Sequence, residues 1–101
     1  MLIQGYYSQM TEDEIVGQIG CEGCNPVRVV EAAGSIYASH ANLNDIVLAF
    51  VRGSADVTVG GRSYHCLPGD RLVIRGSILH SAVVGHEGCI YWMTQLPVLA
   101  D

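Results

Sequence analysis

The chain has 101 residues, which is enough for a single domain with one hydrophobic core. Half of its residues are hydrophobic and 15% are charged, a composition typical of a globular protein and not of a disordered one. The formal net charge is −5, and the five basic residues, all arginines, are scattered along the sequence. This charge argues against binding to a phosphate backbone, so we expect no nucleic-acid partner.

The sequence shows no targeting or membrane signal. Its N-terminus, "MLIQGYYSQM", lacks the basic start and long apolar run of a signal peptide. The longest apolar run, residues 46 to 51, is far too short to cross a bilayer. We therefore expect a cytoplasmic protein with no membrane partner, in which cysteines are normally reduced.

The chain divides into two parts, an N-terminal segment (residues 1–26) and a strand-rich part (27–101). The N-terminal segment is predicted to form a strand or one or two helical turns, because Thr11 and Glu14 have capping-box spacing in "TEDEIVGQI". Its first residues, "LIQGYY", are also a candidate dimer arm that pairs with the sheet edge of a partner.

From residue 27 onward the sequence predicts short strands separated by tight turns. Turns are predicted at Arg52-Gly53, at Gly60-Gly61, in "LPGD" and in "GHEG". No room remains for the crossover helices that parallel strands require, so the sheet must be antiparallel. An antiparallel chain of this size is expected to close into a small barrel or a two-sheet sandwich, which makes the fold class all-β.

The strand "DIVLAFV" is apolar on both faces. Alternation places Ile46, Leu48 and Phe50 on one face, which we expect to line the barrel interior as a ligand cavity. The opposite face carries Val47, Ala49 and Val51. Because an exposed apolar face usually marks an interaction surface, we expect this second face to be a subunit interface and the protein to be a homodimer.

Four cysteines lie at positions 21, 24, 66 and 89. Cys21 and Cys24 have the spacing of a redox pair or of half a zinc site, but the sequence predicts no helix after them that would activate a thiol. We interpret the pair as free thiols in a surface turn. Cys66 and Cys89 are expected to be buried small hydrophobes, and either one would add a zinc ligand if it pointed into the barrel.

The order of glycines and histidines resembles that of the cupins, small double-stranded β-helix or jelly-roll barrels of the RmlC-like type. The first cupin motif has the form G-x5-H-x-H-x3,4-E-x6-G, and Gly34, His40 and Gly53 fall in register with it. The second motif has the form G-x5-P-x-G-x2-H, which Gly69 and His80 match. The resemblance covers roughly residues 27 to 95 and implies a small single-domain cupin.

The resemblance also implies a metal site that is partly altered. His40 and His80 match the first and last histidine ligands, whereas Asn42 replaces the second histidine and Ile46 falls at the glutamate position. The resemblance therefore implies a metal site of His40, Asn42 and His80 for a divalent transition metal: zinc, nickel, copper, iron or manganese. Asp45 supplies a carboxylate only if a β-bulge turns it inward.

Other polar and aromatic residues are weaker candidates. His65 is expected to be exposed on a hairpin arm, and His86 to be solvated in the "GHEG" turn. Tyr91 and Trp92 alternate on the last strand, so one of them should line the barrel and the other should face outward.

The sequence supports three hypotheses about function and leaves open whether the protein is an enzyme. The first is a cupin that binds a small ligand, with or without a metal, in its barrel. The second is a metal-dependent cupin enzyme, such as a dioxygenase or isomerase acting on a small organic molecule. The third is a degenerate, non-catalytic cupin that acts as an interaction module.

Overall fold

A computed structural model describes residues 1–97 of the chain, apart from the side chain of Cys24. The last four residues of the predicted barrel, 98–101, lie outside the described residues. The elements follow one another along the chain as β1 (Leu2–Ile3), α1 (Glu12–Glu22), β2 (Cys24–Glu31), β3 (Ile36–His40), β4 (Ile46–Val59), β5 (Arg62–Cys66), β6 (Arg71–Ile74) and β7 (His80–Gln95). No helix within residues 1–97 is long or apolar enough to span a membrane.

All strand pairs are antiparallel, and two long strands, β4 and β7, run through the centre of the structure. In one half of the sheet the order is β1-β6-β4-β7-β2, with Phe50 opposite Tyr91. In the other half β5 pairs with the later part of β4, and β3 pairs with the early part of β7. The all-β jelly-roll prediction is confirmed.

The two central strands bend together, so two of the predicted turns are wrong. Neither Arg52-Gly53 nor "GHEG" ends a strand, since β4 and β7 continue through both. Their pairing shifts register twice, with an extra residue on β4 between Phe50 and Arg52 and extra residues on β7 between Val84 and Cys89. Gly53 and Gly88 have positive φ values of 71° and 79°, and Gly53 lies so close to Gly88 that a Cβ atom on it would overlap the Gly88 carbonyl. Bulged strands bend and twist, which folds the sheet over itself. The predicted turns at Gly60-Gly61 and "LPGD" are confirmed.

The N-terminal helix is longer than predicted. The capping box is present: the Thr11 hydroxyl accepts a hydrogen bond from the Glu14 backbone, and the Glu14 carboxylate accepts one from the Thr11 backbone. The helix then continues for 11 residues, about three turns, instead of one or two. Ile15 and Ile19 lie one turn apart and are both buried against the sheet, so tertiary packing extends the helix beyond its local signals.

This helix covers the face that was predicted to be a subunit interface. Val47 and Ala49 are fully buried within the chain itself, in a cluster with Tyr7, Ile15 and Ile19. The prediction of an interface on this face is therefore wrong. The "LIQGYY" segment likewise pairs through β1 with β6 of its own sheet, not with that of a partner. The homodimer stays a prediction, but neither feature supports it.

Hydrogen bonds connect both ends of α1 to the sheet. At its start, Glu12 accepts hydrogen bonds of 2.7 Å from Arg28 and from the Trp92 indole. At its end, Glu22 makes two 2.8 Å hydrogen bonds with the guanidinium of Arg71. A paired arginine and carboxylate of this geometry is strongly oriented, so the helix is held against the outer face of the barrel.

The bend gives a prediction about stability that uses two glycines with similar backbone angles. Gly53 and Gly34 have φ values of 71° and 74°, but a Cβ on Gly34 would meet nothing within 4 Å. We expect Gly34→Ala to lower the free energy of unfolding by roughly 1–2 kcal/mol, which is the cost of placing a side chain on a residue with a left-handed backbone conformation. We expect Gly53→Ala to lower the free energy of unfolding by roughly 1–3 kcal/mol more than Gly34→Ala does, because its Cβ would overlap the backbone of Gly88. Urea unfolding of both variants measures the difference, and equal losses would contradict the assigned role of the bend.

Candidate ligand cavity and metal site

The two halves of the sheet enclose a cavity of about 310 Å³. The structure places Ile46, Leu48 and Phe50 on its wall, together with further apolar side chains from β4, β6 and β7. The polar side chains on the wall are Glu31, Tyr37, His40, Asn42, His80, Ser81, Tyr91 and Gln95. The cavity is at the small end of the range for ligand pockets, roughly 300–1,000 Å³, and it is mostly apolar, as such pockets are.

His40 and His80 meet across two neighbouring strands. They lie opposite each other in the pairing of β3 with β7, and their ring centroids are 4.2 Å apart with an angle of 60° between the planes. His80 is buried, with 8% of its surface exposed, whereas every residue of β3, including His40, is exposed. The pair therefore joins the cavity wall to the solvent.

Both imidazoles are oriented by the backbone. Nδ1 of His40 lies 3.2 Å from the carbonyl oxygen of Ala38, and Nδ1 of His80 lies 3.3 Å from that of Ile78. A carbonyl can only accept, so these contacts assign the proton of each neutral ring to Nδ1 and leave the lone pair on Nε2. Metal-binding histidines commonly show this arrangement, with the second ring nitrogen held by a carbonyl or carboxylate.

The environment of His80 favours its neutral form. Burial lowers the pKa of His80 from its usual value, the hydrogen bond to the Ile78 carbonyl partly opposes this, and the nearby His40 lowers it further. An imidazole must be neutral to bind a metal. Burial therefore favours the form of His80 whose Nε2 lone pair is free to bind a ligand.

Asn42 lines the same cavity but does not lie on the same strand as His40. β3 ends at His40, so Asn42 follows this strand and does not share one of its faces with His40. Asn42 lies in the segment before β4, and its backbone carbonyl accepts a 2.7 Å hydrogen bond from the Ser77 amide. This bond ties the segment to the β6–β7 connection.

No carboxylate of residues 1–97 joins the two histidines. Asp45 accepts a 2.7 Å hydrogen bond from the Gly76 amide and does not line the cavity, while Ile46 is buried on the cavity wall. Within residues 1–97 no group of three or more histidine, cysteine or acidic side chains is arranged to hold a metal. Two imidazoles and one amide fit a transition metal through uncharged donors only.

The side chains of Cys66, Cys89, His65 and His86 do not line this cavity. Cys66 and Cys89 are buried in the core of the barrel, and burial raises their thiol pKa values to about 12 and about 11. They are protonated thiols and do not line the cavity. His65 is exposed and lies 2.7 Å from the Asp56 carboxylate, and His86 is exposed on β7 instead of in a turn.

Cys21 lies in the last turn of α1 and is exposed. The predicted surface turn is therefore wrong for this residue. The C-terminal end of a helix carries the negative end of its dipole. A redox-active cysteine pair normally begins a helix, so the position of Cys21 is the reverse of that arrangement.

A second polar group in the cavity was not predicted. Tyr91 lines the cavity while Trp92 faces α1, which decides the alternative left open by the sequence. Glu31 lines the cavity as well, and burial of Tyr91 together with the negative charge of that carboxylate raises the pKa of Tyr91 to about 12. Alternation along "VRVVE", with Val29 and Glu31 on one face, is the signal that could have identified Glu31.

Comparison with known proteins supports the fold. No protein-family model matches the sequence, and no curated protein matches it. Among solved structures, an RmlC-like cupin from Shewanella frigidimarina is similar with a TM-score of 0.66 and 26% identity, over 75% of this chain and 68% of that one. KdgF from Halomonas sp. is similar with a TM-score of 0.63 and 21% sequence identity, over 72% of this chain and 68% of that one. Bacillus subtilis oxalate decarboxylase is similar with a TM-score of 0.64 and 22% sequence identity, over 84% of this chain but only 24% of that one.

The buried thiols give a prediction at alkaline pH. Unfolded thiols lose their protons near pH 9, whereas Cys66 and Cys89 hold theirs to about pH 12 and about pH 11. The unfolded state then binds fewer protons, so the free energy of unfolding should fall as pH rises above 9. Urea unfolding from pH 8 to 11 should show a shallower fall in the Cys66→Ala/Cys89→Ala variant.

The matched control is Cys21→Ala, which removes the exposed thiol of α1. It should leave the dependence of stability on pH unchanged. Parallel curves for the wild type and the double variant would mean that the thiols of Cys66 and Cys89 do not cause the fall.

Proposed function

Because the chain has the fold of a small RmlC-like cupin, we propose that it is a cytoplasmic protein that binds a small organic ligand in its barrel, beside a divalent transition metal held by His40, His80 and Asn42. The observation that carries the proposal is the histidine pair. Two rings 4.2 Å apart, each with Nδ1 at a backbone carbonyl, leave two Nε2 lone pairs available on the wall of a 310 Å³ cavity.

The donor set indicates which metals bind. Imidazole nitrogens suit zinc, nickel, copper and iron, whereas magnesium and calcium require several oxygen ligands. Without a carboxylate beside His40 and His80, the positive charge of the ion is not offset. We therefore expect modest affinity, with zinc, nickel and copper ahead of iron and manganese. The Mn(II) centres named for the oxalate decarboxylase support a metal in this fold.

The apolar wall supplies the ligand site. Ile46, Leu48 and Phe50 form a surface that excludes water and binds the apolar part of a ligand. His40, which is exposed, lies where a ligand would enter, and His80 lies inside. A metal bound by these residues would supply a Lewis acid at that end of the cavity.

A second candidate function is a metal-dependent enzyme, such as a dioxygenase or isomerase. Three protein donors leave open coordination positions, as in catalytic sites. The specific observation in its favour is Tyr91, whose hydroxyl stays protonated in a cavity that is also lined by the Glu31 carboxylate. A group of this kind can exchange a proton with a bound substrate. A turnover assay of the metal-loaded protein would separate this function from binding alone.

The metal site can be tested by titration. We expect the wild type to bind Zn²⁺ or Ni²⁺ with about one ion per chain. His40→Ala and His80→Ala should each weaken binding at least about tenfold, since loss of a residue that only orients a ligand already costs about 10–100-fold. Isothermal titration calorimetry with Zn²⁺ and Ni²⁺ measures these affinities.

Two further variants sharpen this experiment. His65→Ala removes an exposed histidine outside the cavity and should leave metal affinity unchanged. Ile46→Glu combined with Asn42→His restores the cupin ligand pattern and should tighten binding, because it adds a negative charge and an imidazole. If all of these proteins bind equally, or none binds, the metal site is wrong and the interaction-module hypothesis gains support.

A further inference from the structure

The cavity contains one carboxylate, and it lies apart from the histidines. Among the described residues that line the cavity, Glu31 is the only acidic one, and none is a lysine or arginine. Glu31 pairs with Cys89, which itself lies opposite Gly53 at the bend of the two central strands. Val84 is the last residue of β7 that pairs with β4 before the bend, and His80 lies four residues ahead of it, roughly 13 Å at the rise of a strand. Glu31 therefore lies beside the bend, whereas His80 lies away from it.

The Glu31 end is built to bind a hydrogen-bond donor. Glu31 lies opposite Cys89, two residues before Tyr91 on the paired strand, and both Glu31 and Tyr91 line the cavity. A carboxylate has several lone-pair sites that can accept hydrogen bonds from a ligand. The ring of Tyr91 lies beside that of Phe50, with centroids 5.5 Å apart, and both rings line the cavity together with Glu31. A carboxylate next to aromatic faces attracts an organic cation by charge and by cation–π interaction.

We propose that Glu31 and Tyr91 bind the ammonium group of a small primary amine whose apolar body lies along Leu48 and Phe50. The inference rests on the proposed ligand-binding function and adds the chemical class of the ligand. A protonated amine can donate several charged hydrogen bonds to Glu31. An alcohol of the same shape can donate only one hydrogen bond, and that bond carries no charge. An anion placed at this end would meet a like charge and no basic side chain.

The test uses the full chain and two probes of nearly equal shape, 2-phenylethylamine and 2-phenylethanol. Calorimetric titration should show the amine binding about tenfold or more tightly than the alcohol, as expected for a charged hydrogen bond. Glu31→Gln, which keeps the shape of the side chain, should remove this preference and leave the affinity for the alcohol unchanged. Tyr91→Phe should weaken binding of the amine by a smaller factor, because the carboxylate remains.

The matched control is Glu87→Gln, which neutralises an exposed glutamate on β7 that does not line the cavity. It should leave both affinities unchanged, which separates a local contact from the effect of net charge. Equal binding of the two probes, no binding of either, or the same preference in Glu31→Gln would overturn the inference. The metal titration reports on the proposed function separately, since His40 and His80 lie away from the bend, beside which Glu31 lies. If the amine preference fails while metal binding holds, only the inference about the ligand fails.

Discussion

The close approach of Gly53 and Gly88 is the constraint on which the cavity depends. Both residues have a positive φ, and the space between them admits no Cβ. Because β4 and β7 bend at this contact, one antiparallel sheet supplies two facing walls, and the early part of β7 carries His80 while its later part carries Tyr91. Without the bend, His80 and Tyr91 would lie along one extended strand and no cavity would separate them.

The sequence predicted the strands well because alternation and turn residues are local signals. Ile46, Leu48 and Phe50 share one parity, and Gly60-Gly61 has the form of a hairpin turn, so both were readable without the fold. The bend was not readable, since a glycine that allows two strands to approach and a glycine that ends a strand look the same in one sequence. The length of α1 was missed for a related reason: it depends on packing against Val47, which is distant in the chain.

In the candidate site, too, some features could be identified in the sequence and others depend on the fold. His40 and His80 could be identified by their order among the glycines, and the structure places both in one cavity. The orientation of their rings depends on the carbonyl oxygens of Ala38 and Ile78, which no motif records. Glu31 was missed because its alternation with Val29 is visible in the sequence, whereas the pairing of β2 with β7, which brings it to the strand of Tyr91, is not.

The distribution of charge in the cavity links the altered metal motif to the ligand. In a low-dielectric interior a cation is stabilised by a nearby negative charge. Asn42 and Ile46 provide none beside the histidines, and the one carboxylate of the described cavity wall, Glu31, lies beside the bend. In the proposed site, a metal at the histidines would keep its positive charge and attract a lone-pair donor, while Glu31 would attract an ammonium group. A ligand with an amine at one end and an oxygen or nitrogen donor at the other would then match both groups at once, so the altered motif would change what the barrel selects.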